Sequence, residues 1–95
     1  MRIEIKNANA VNIRPVPGGL ELACGGVSFT IPRHRVRAVA EELEAKDGPA
    51  PAAVRVWLGG DKFAEVAGPG DALFELGIRL LAWLSHIEGG EARES

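Results

Sequence analysis

The chain has 95 residues, of which 46% are hydrophobic and 25% charged, and its formal net charge at pH 7 is −2. This length excludes a second core, so we expect one domain, and these proportions are ordinary for a soluble globular protein. Glutamine is absent and the only methionine is Met1, a bias that is typical of heat-adapted proteins and favours a thermophilic source. The alternative is a GC-rich genome, which also shifts composition toward Ala, Gly and Arg.

Several classes of protein are excluded by particular residues. Cys24 is the single cysteine, so the chain has no internal disulfide and no zinc site built on cysteines. The N-terminal MRIEIKNAN alternates apolar and charged residues, unlike a secretion signal. The apolar stretch at 72–87 is interrupted by Glu75 and Arg79 and is too short to span a bilayer. We therefore expect a cytoplasmic protein without membrane contacts.

Four strands are predicted before residue 32, because apolar and polar residues alternate there with a period of two. The segments are MRIEIK, VNIRPV, LELAC and VSFTI, and the last three are separated by the glycine-containing turns PGG and Gly25-Gly26. Glycine supplies the positive φ that tight hairpin turns require. The natural interpretation is an antiparallel meander of four consecutive strands.

Two helices are predicted. The first runs from about Pro32 to Lys46, with an apolar stripe at Val36, Val39, Ala40 and Leu43, and stops at DGPAP. The second runs from about Pro69 to Glu88 and ends at Gly89-Gly90. The folded domain is therefore expected to cover residues 1–88, followed by a disordered charged tail at 89–95.

A second hairpin lies between the helices, formed by AAVRVWL, GGD and KFAEVA. A three-residue loop at 59–61 pairs Leu58 with Lys62 and Trp57 with Phe63, and it collects the valines on one face. A two-residue loop would separate the two aromatic residues. We favour the three-residue loop because it sorts the apolar side chains best. The predicted fold is α+β, an antiparallel sheet of order ββββα–ββα with both helices on one face.

The second helix is apolar over roughly 240° of its circumference, which is wider than one sheet covers. Either it is enclosed within the monomer or it contacts a second copy. We predict a homodimer or higher homo-oligomer, with an interface formed by Leu76, Leu80, Trp83, Leu84 and Ile87.

No catalytic signature is present, and we predict a non-catalytic protein without metal or cofactor. His34 and His86 are the only histidines, and neither belongs to a metal-binding spacing. Cys24 lies on the inward face of a strand, as a structural thiol does. The glycine pairs lie between strands and do not form a phosphate-binding loop before a helix.

The outward face of the second hairpin predicts a binding surface. It carries Trp57 and Phe63, flanked by Arg55 and close to Lys62. Bases stack on aromatic rings with about 1–3 kcal/mol each, and cations follow the phosphates. The alternative is that Trp57 lies under a loop or in a subunit contact, where tryptophan is also enriched.

Charge is distributed unevenly along the chain. Up to residue 37 there are six cations and two acids, and then five cations and eleven acids follow. Arg33 and Arg37 lie one turn apart at the start of the first helix, where a cation is disfavoured by about 0.3–1 kcal/mol unless an anion is bound. The alternative is that Arg33 or Arg35 pairs with Glu4, Glu21 or an acid of another subunit.

The order of elements, with the IPRHRVRAVAEEL helix, the RVW hairpin and the long apolar helix, resembles the ThermoDBP-related proteins of hyperthermophilic archaea over residues 1–88. The resemblance implies an oligomeric protein that binds single-stranded DNA or RNA in a hydrophobic cleft with a basic rim. Trp57 and Phe63 would then belong to the cleft, and Arg33, Arg37 and Arg55 to its rim. The acidic composition departs from that pattern.

The predicted function is therefore binding of single-stranded DNA or RNA with little sequence preference, by aromatic stacking and contacts between arginine and phosphate. The predicted site comprises Arg14, Arg33, Arg37, Arg55, Trp57, Lys62 and Phe63. The alternative is a protein-interaction or assembly module whose aromatic sheet face docks a polypeptide.

Overall fold

A computed structural model describes the backbone of residues 1–94 and the side chains of residues 1–87. The fold is α+β, and its elements follow the predicted order ββββα–ββα. The strands and helices are β1 Arg2–Glu4, β2 Asn12–Val16, β3 Gly19–Cys24, β4 Val27–Pro32, α1 Arg33–Glu44, β5 Pro51–Gly59, β6 Lys62–Pro69 and α2 Gly70–Glu94, with a 3-10 turn at Ala8–Ala10.

The strands form two three-stranded sheets, so the predicted four-stranded meander is wrong. β2, β3 and β4 are consecutive and antiparallel, as expected, but β1 leaves them and pairs in parallel with β6, giving a second sheet of order β1–β6–β5. The physical reason is that alternation in a strand determines which face is apolar and leaves the neighbouring strand open. The 3-10 turn, capped by Oδ1 of Asn7, separates β1 from β2.

α1 packs against strands of both sheets and α2 against the β1–β6–β5 sheet, so the helices do not share one face of a single sheet as predicted. α1 lies against α2, β3, β4 and β5, while α2 also contacts β5, β6 and the 3-10 turn. The valines of the second hairpin and the predicted stripe of α1 are buried in the resulting core. The core therefore lies between the helices and the inner faces of the two sheets.

The long helix is enclosed within the monomer on one side, which corrects the predicted oligomer interface. Leu76, Leu80 and Leu84 are buried inside the chain and are not available to a second copy. Trp83 and Ile87 are partly exposed and pack at the edge of the core. More of the circumference is covered than one sheet could cover, because α1 and the 3-10 turn add to the sheet contacts.

The C-terminal end of α2 also differs from expectation. The helix continues through Gly89-Gly90 to Glu94 and does not end at Glu88. A glycine in a helix interior costs about 1 kcal/mol, which does not by itself terminate a helix. The side chains from Glu88 onward lie outside the described residues, and the disordered tail at 89–95 stays a prediction.

Candidate functional site

The β5–β6 hairpin has the predicted register over most of its length. Trp57 pairs with Phe63, and Arg55 pairs with Glu65. The pairing changes at the tip, where Gly59 takes the place predicted for Leu58 opposite Lys62, and the turn is Gly60-Asp61. Gly59 has φ +112°, which a side chain would oppose, so the irregularity sits where glycine permits it.

We call the face of the β1–β6–β5 sheet that is directed away from the core the outer face, and Arg55, Trp57 and Phe63 the aromatic patch. Phe63 is 47% exposed, and the guanidinium carbon of Arg55 lies 5.5 Å from the centre of its ring, a cation–π contact. Trp57 is partly exposed, and its indole Nε1 donates to the carbonyl oxygen of Gly60 at 2.9 Å. The patch therefore presents ring surface and one cation, with the indole N–H already satisfied.

The acids beside the patch are paired. Arg2 donates to Glu65 and, at 3.2 Å, to Glu4, so one guanidinium joins the two carboxylates on this face. Surface ion pairs of this kind contribute about 0–1 kcal/mol to stability, but they reduce the negative potential around the patch. Lys62 is exposed, and by alternation it shares the face of Ala64 and Val66, so it lies at the hairpin tip and not in the patch.

Arg33 and Arg37 lie elsewhere. Together with Gly18, His34 and Leu84 they line an open cleft of about 520 Å³ beside the start of α1. Arg55 lines a different, shallow cleft with Lys46 near the end of α1. The single groove with aromatic walls and a rim of helix arginines that the sequence suggested is therefore divided between two surfaces.

The first turn of α1 carries cations and contains no acid. Pro32 provides no side-chain cap there. One backbone N–H is satisfied, because Arg33 N donates to the carbonyl oxygen of Gly18 at 2.8 Å. Arg35 is partly buried, and its Nε has no hydrogen-bond partner among the described residues.

Arg14 belongs to neither surface. It lies on β2 in the other sheet, where its Nε donates to Glu21 at 2.7 Å. Glu21 and Glu4, which were alternative partners for the arginines of α1, thus each accept from an arginine of a strand. Arg14 is an exposed cation in the β2–β3–β4 sheet, whereas the aromatic patch belongs to the β1–β6–β5 sheet.

Arg79 has a role that its sequence position did not reveal. It interrupts the apolar stretch of α2, yet its Nη1 donates to the carbonyl oxygens of Ala8 and, at 3.1 Å, of Val11. This holds the 3-10 turn, and with it the connection from β1 to β2, against α2. Helical periodicity places Arg79 outside the apolar arc and gives no sign of a distant backbone partner.

The described residues contain no group of three His, Cys, Asp or Glu side chains that could hold a metal ion. His34 lies in the cleft with Arg33, and His86 meets Trp83 edge to face at 6.1 Å between ring centres. Among the described helical residues, no segment combines the length and apolar character needed to cross a bilayer.

Comparison with known proteins adds no assignment. No protein-family model, no curated protein and no solved structure matches the chain. The resemblance to the ThermoDBP-related proteins therefore stays a prediction.

Proposed function

We propose that the protein is a non-catalytic module that binds single-stranded DNA or RNA on the outer face of the β1–β6–β5 sheet. The observation that carries the proposal is the aromatic patch: two rings side by side across the hairpin, with Arg55 against the exposed Phe63. Bases stack on such rings with about 1–3 kcal/mol each, and an adjacent guanidinium attracts the phosphate between them.

The hydrogen bond of Trp57 supports little sequence preference. Specific recognition of a base requires donors and acceptors directed at its edges, whereas stacking tolerates every base. Because the indole N–H is donated to Gly60, Trp57 offers a partner only its ring. Affinity would then come from stacking and charge, without readout of base identity.

Arg33 and Arg37 enter the proposal as a second cationic surface. They line their own cleft, so a strand held by the aromatic patch would reach them only if it continued past the sheet. Lys62, exposed at the hairpin tip, would contact a phosphate only where the strand passes around the tip. Arg14 is paired with Glu21 on the other sheet, and we remove it from the proposed contacts.

Self-association is a separate part of the proposal. With the leucines of α2 buried, the apolar side chains that α2 still presents to solvent are the exposed Ile78 and the partly exposed Phe74, Leu81, Trp83 and Ile87. At 100° per residue, Phe74, Ile78 and Leu81 fall on one side of α2, and Trp83 and Ile87 fall on the opposite side. We propose a homodimer or higher homo-oligomer formed through the side that carries Ile78.

The decisive experiment measures binding of a labelled fifteen-nucleotide single strand by fluorescence anisotropy at 50 and 200 mM salt. Loss of one stacked base, about 1–3 kcal/mol, predicts that Trp57→Ala weakens binding by roughly 5- to 150-fold. Arg14→Ala is the matched control for folding and for charge, and we expect it to change affinity much less than Arg55→Ala. Equal affinity of Trp57→Ala and the parent would remove the stacking site.

A Trp83→Phe protein gives an independent readout, because Trp57 is then the only tryptophan. Stacking of a base on that ring should quench its fluorescence as the strand is added. Binding seen by anisotropy without quenching would place the strand on another surface.

The near balance of charge on the outer face favours one alternative, a module that docks a polypeptide there. Arg2 is shared between Glu4 and Glu65, so one cation is balanced by two carboxylates there and Arg55 supplies the second cation. A polypeptide would bind with little dependence on salt, whereas a nucleic acid loses affinity steeply as salt rises. Binding of a polypeptide that is insensitive to salt, without any binding of oligonucleotides, would select this alternative.

A further inference from the structure

The outer face of the β1–β6–β5 sheet extends well beyond the aromatic patch. Every second residue of a strand points to the same face, so the register defines successive rows across the sheet. From the hairpin tip towards the helices, the rows are Trp57 with Phe63, Arg55 with Glu65 and Arg2, Ala53 with Ala67 and Glu4, and Pro51 with Pro69.

An open cleft of about 460 Å³ lies at the far end of these rows. The residues of its wall that matter here are Arg2, Glu4, Lys6, Pro51, Ala67 and Pro69. Lys6 is exposed, and its position is set by the preceding residue, since Ile5 N donates to the carbonyl oxygen of Ala67 at 2.9 Å. The backbone thus holds a cation beside the end of β6.

The third row is low at β5 and β6, where it consists of two alanines, whereas its member on β1 is the exposed Glu4. Ala67 is buried among its neighbours, and Ala53 is exposed. Ala53 and Ala67 leave a shallow path from the cleft along the strands, and this path crosses the row of Arg55, Glu65 and Arg2 before it reaches the aromatic rings. Cations stand at both ends, Arg55 at the patch and Lys6 at the cleft, while Arg2 engages the two acids between them.

We infer that a single strand of nucleic acid follows this path, with bases on Trp57 and Phe63 and a phosphate at Lys6; the inference rests on the proposed function. Trp57 and Pro51 are six residues apart in β5, which corresponds to about 20 Å at the rise of a strand. At the stacked rise of about 3.4 Å per nucleotide this distance covers roughly six nucleotides, and fewer in an extended strand. The site therefore takes roughly four to six nucleotides.

The test compares the full-length parent protein, Lys6→Ala and Arg14→Ala with single strands of thymidylate from three to ten nucleotides. For the parent, affinity should rise with length up to roughly six nucleotides and then level off. For Lys6→Ala it should level off at a shorter length, because the far end no longer holds a phosphate. Arg14→Ala removes the same charge from the other sheet and should follow the parent.

Salt dependence provides a second readout. Each phosphate contact contributes about 0.7 to the slope of log affinity against log salt for a single strand, so Lys6→Ala should lower that slope by about 0.7 with the ten-nucleotide strand. Between 50 and 200 mM salt its loss of affinity should then be roughly two- to threefold smaller than that of the parent. Circular dichroism checks that the exposed substitution leaves the fold unchanged.

The outcomes separate this inference from the proposed function. If Lys6→Ala keeps the length dependence and the salt slope of the parent, while Trp57→Ala still weakens binding, the path along the sheet is wrong and the stacking site remains. If no strand of any length binds the parent at 50 mM salt, both are overturned.

Discussion

Replacing Gly77 with alanine tests how closely the two helices approach each other. Gly77 is buried in α2 and faces α1. A Cβ built at this position would lie 2.6 Å from the carbonyl oxygen of Ala40 and 3.0 Å from Cγ of Glu44. The first contact is with backbone, which cannot rotate away as a side chain does, so the helices would have to separate locally.

Two effects of opposite sign determine how far Gly77→Ala changes the free energy of unfolding. Alanine is more favourable than glycine in a helix interior by about 1 kcal/mol, whereas overpacking a well-packed core costs about 1–3 kcal/mol. A separation of 2.6 Å from a backbone oxygen points to the upper part of the second range. We therefore expect the free energy of unfolding to fall by about 1–2 kcal/mol, which lowers Tm by roughly 4–16 °C for a domain of this size.

Urea denaturation and thermal unfolding measure this change, and Ala82→Gly is the matched control. Ala82 is exposed on the same helix, so its replacement isolates the helix-propensity effect, and we expect a loss of about 1 kcal/mol. Gly77→Ala could instead raise the free energy of unfolding by the amount that Ala82→Gly lowers it. Helix propensity alone would then determine the effect at both positions. The close contact between α1 and α2 would then be refuted.

Three further predictions concern α2. Arg79→Met keeps the aliphatic stem but removes the hydrogen bonds to Ala8 and Val11, and bonds from a charged donor contribute about 1.5–3 kcal/mol. Because Arg79 is partly exposed, we expect urea denaturation to show a free energy of unfolding lower by about 1–2 kcal/mol. We also expect faster amide exchange at Val11. A loss of stability without faster amide exchange at Val11 would contradict the conclusion that Arg79 holds the 3-10 turn against α2. Leu80→Ala, at a fully buried position, should cost about 2–5 kcal/mol, whereas Ile78→Ala, at 47% exposure, should change monomer stability by less than about 0.5 kcal/mol. Ile78→Asp should shift sedimentation from oligomer to monomer, and an oligomer that persists in this variant would form through another surface.

The register of the β5–β6 hairpin could be predicted because one pairing alone places Val54, Val56, Ala64 and Val66 on the same face. A shift by one residue would have exposed half of them, so burial determines the pairing. Burial does not determine the pairing at the tip of the hairpin. There Gly59 and Gly60 carry no side chain to sort, and the pairing of Lys62 with Gly59 depends on backbone conformation alone.

The partner of β1 could not be predicted, because the alternation of Ile3 and Ile5 identifies an inward face without indicating which strand lies beside it. Arg79 and Arg2 illustrate the same limit for polar residues: each binds groups remote in sequence, and local periodicity reports only that they are not in the core. The two components of the candidate site, aromatic rings and helix arginines, were identified by residue type. Their assignment to different surfaces follows from how the sheets and helices are layered.

The parallel pairing of β1 with β6 has a consequence for how the chain acquires its shape. Arg2 and Glu65, which meet in that pairing, are 63 positions apart, whereas the β2–β3–β4 sheet is made by neighbouring segments. Contacts between distant segments form slowly, since a long loop must close first. During synthesis β1 cannot pair until β6 has been made, so the sheet that carries the aromatic rings is completed after the β2–β3–β4 sheet.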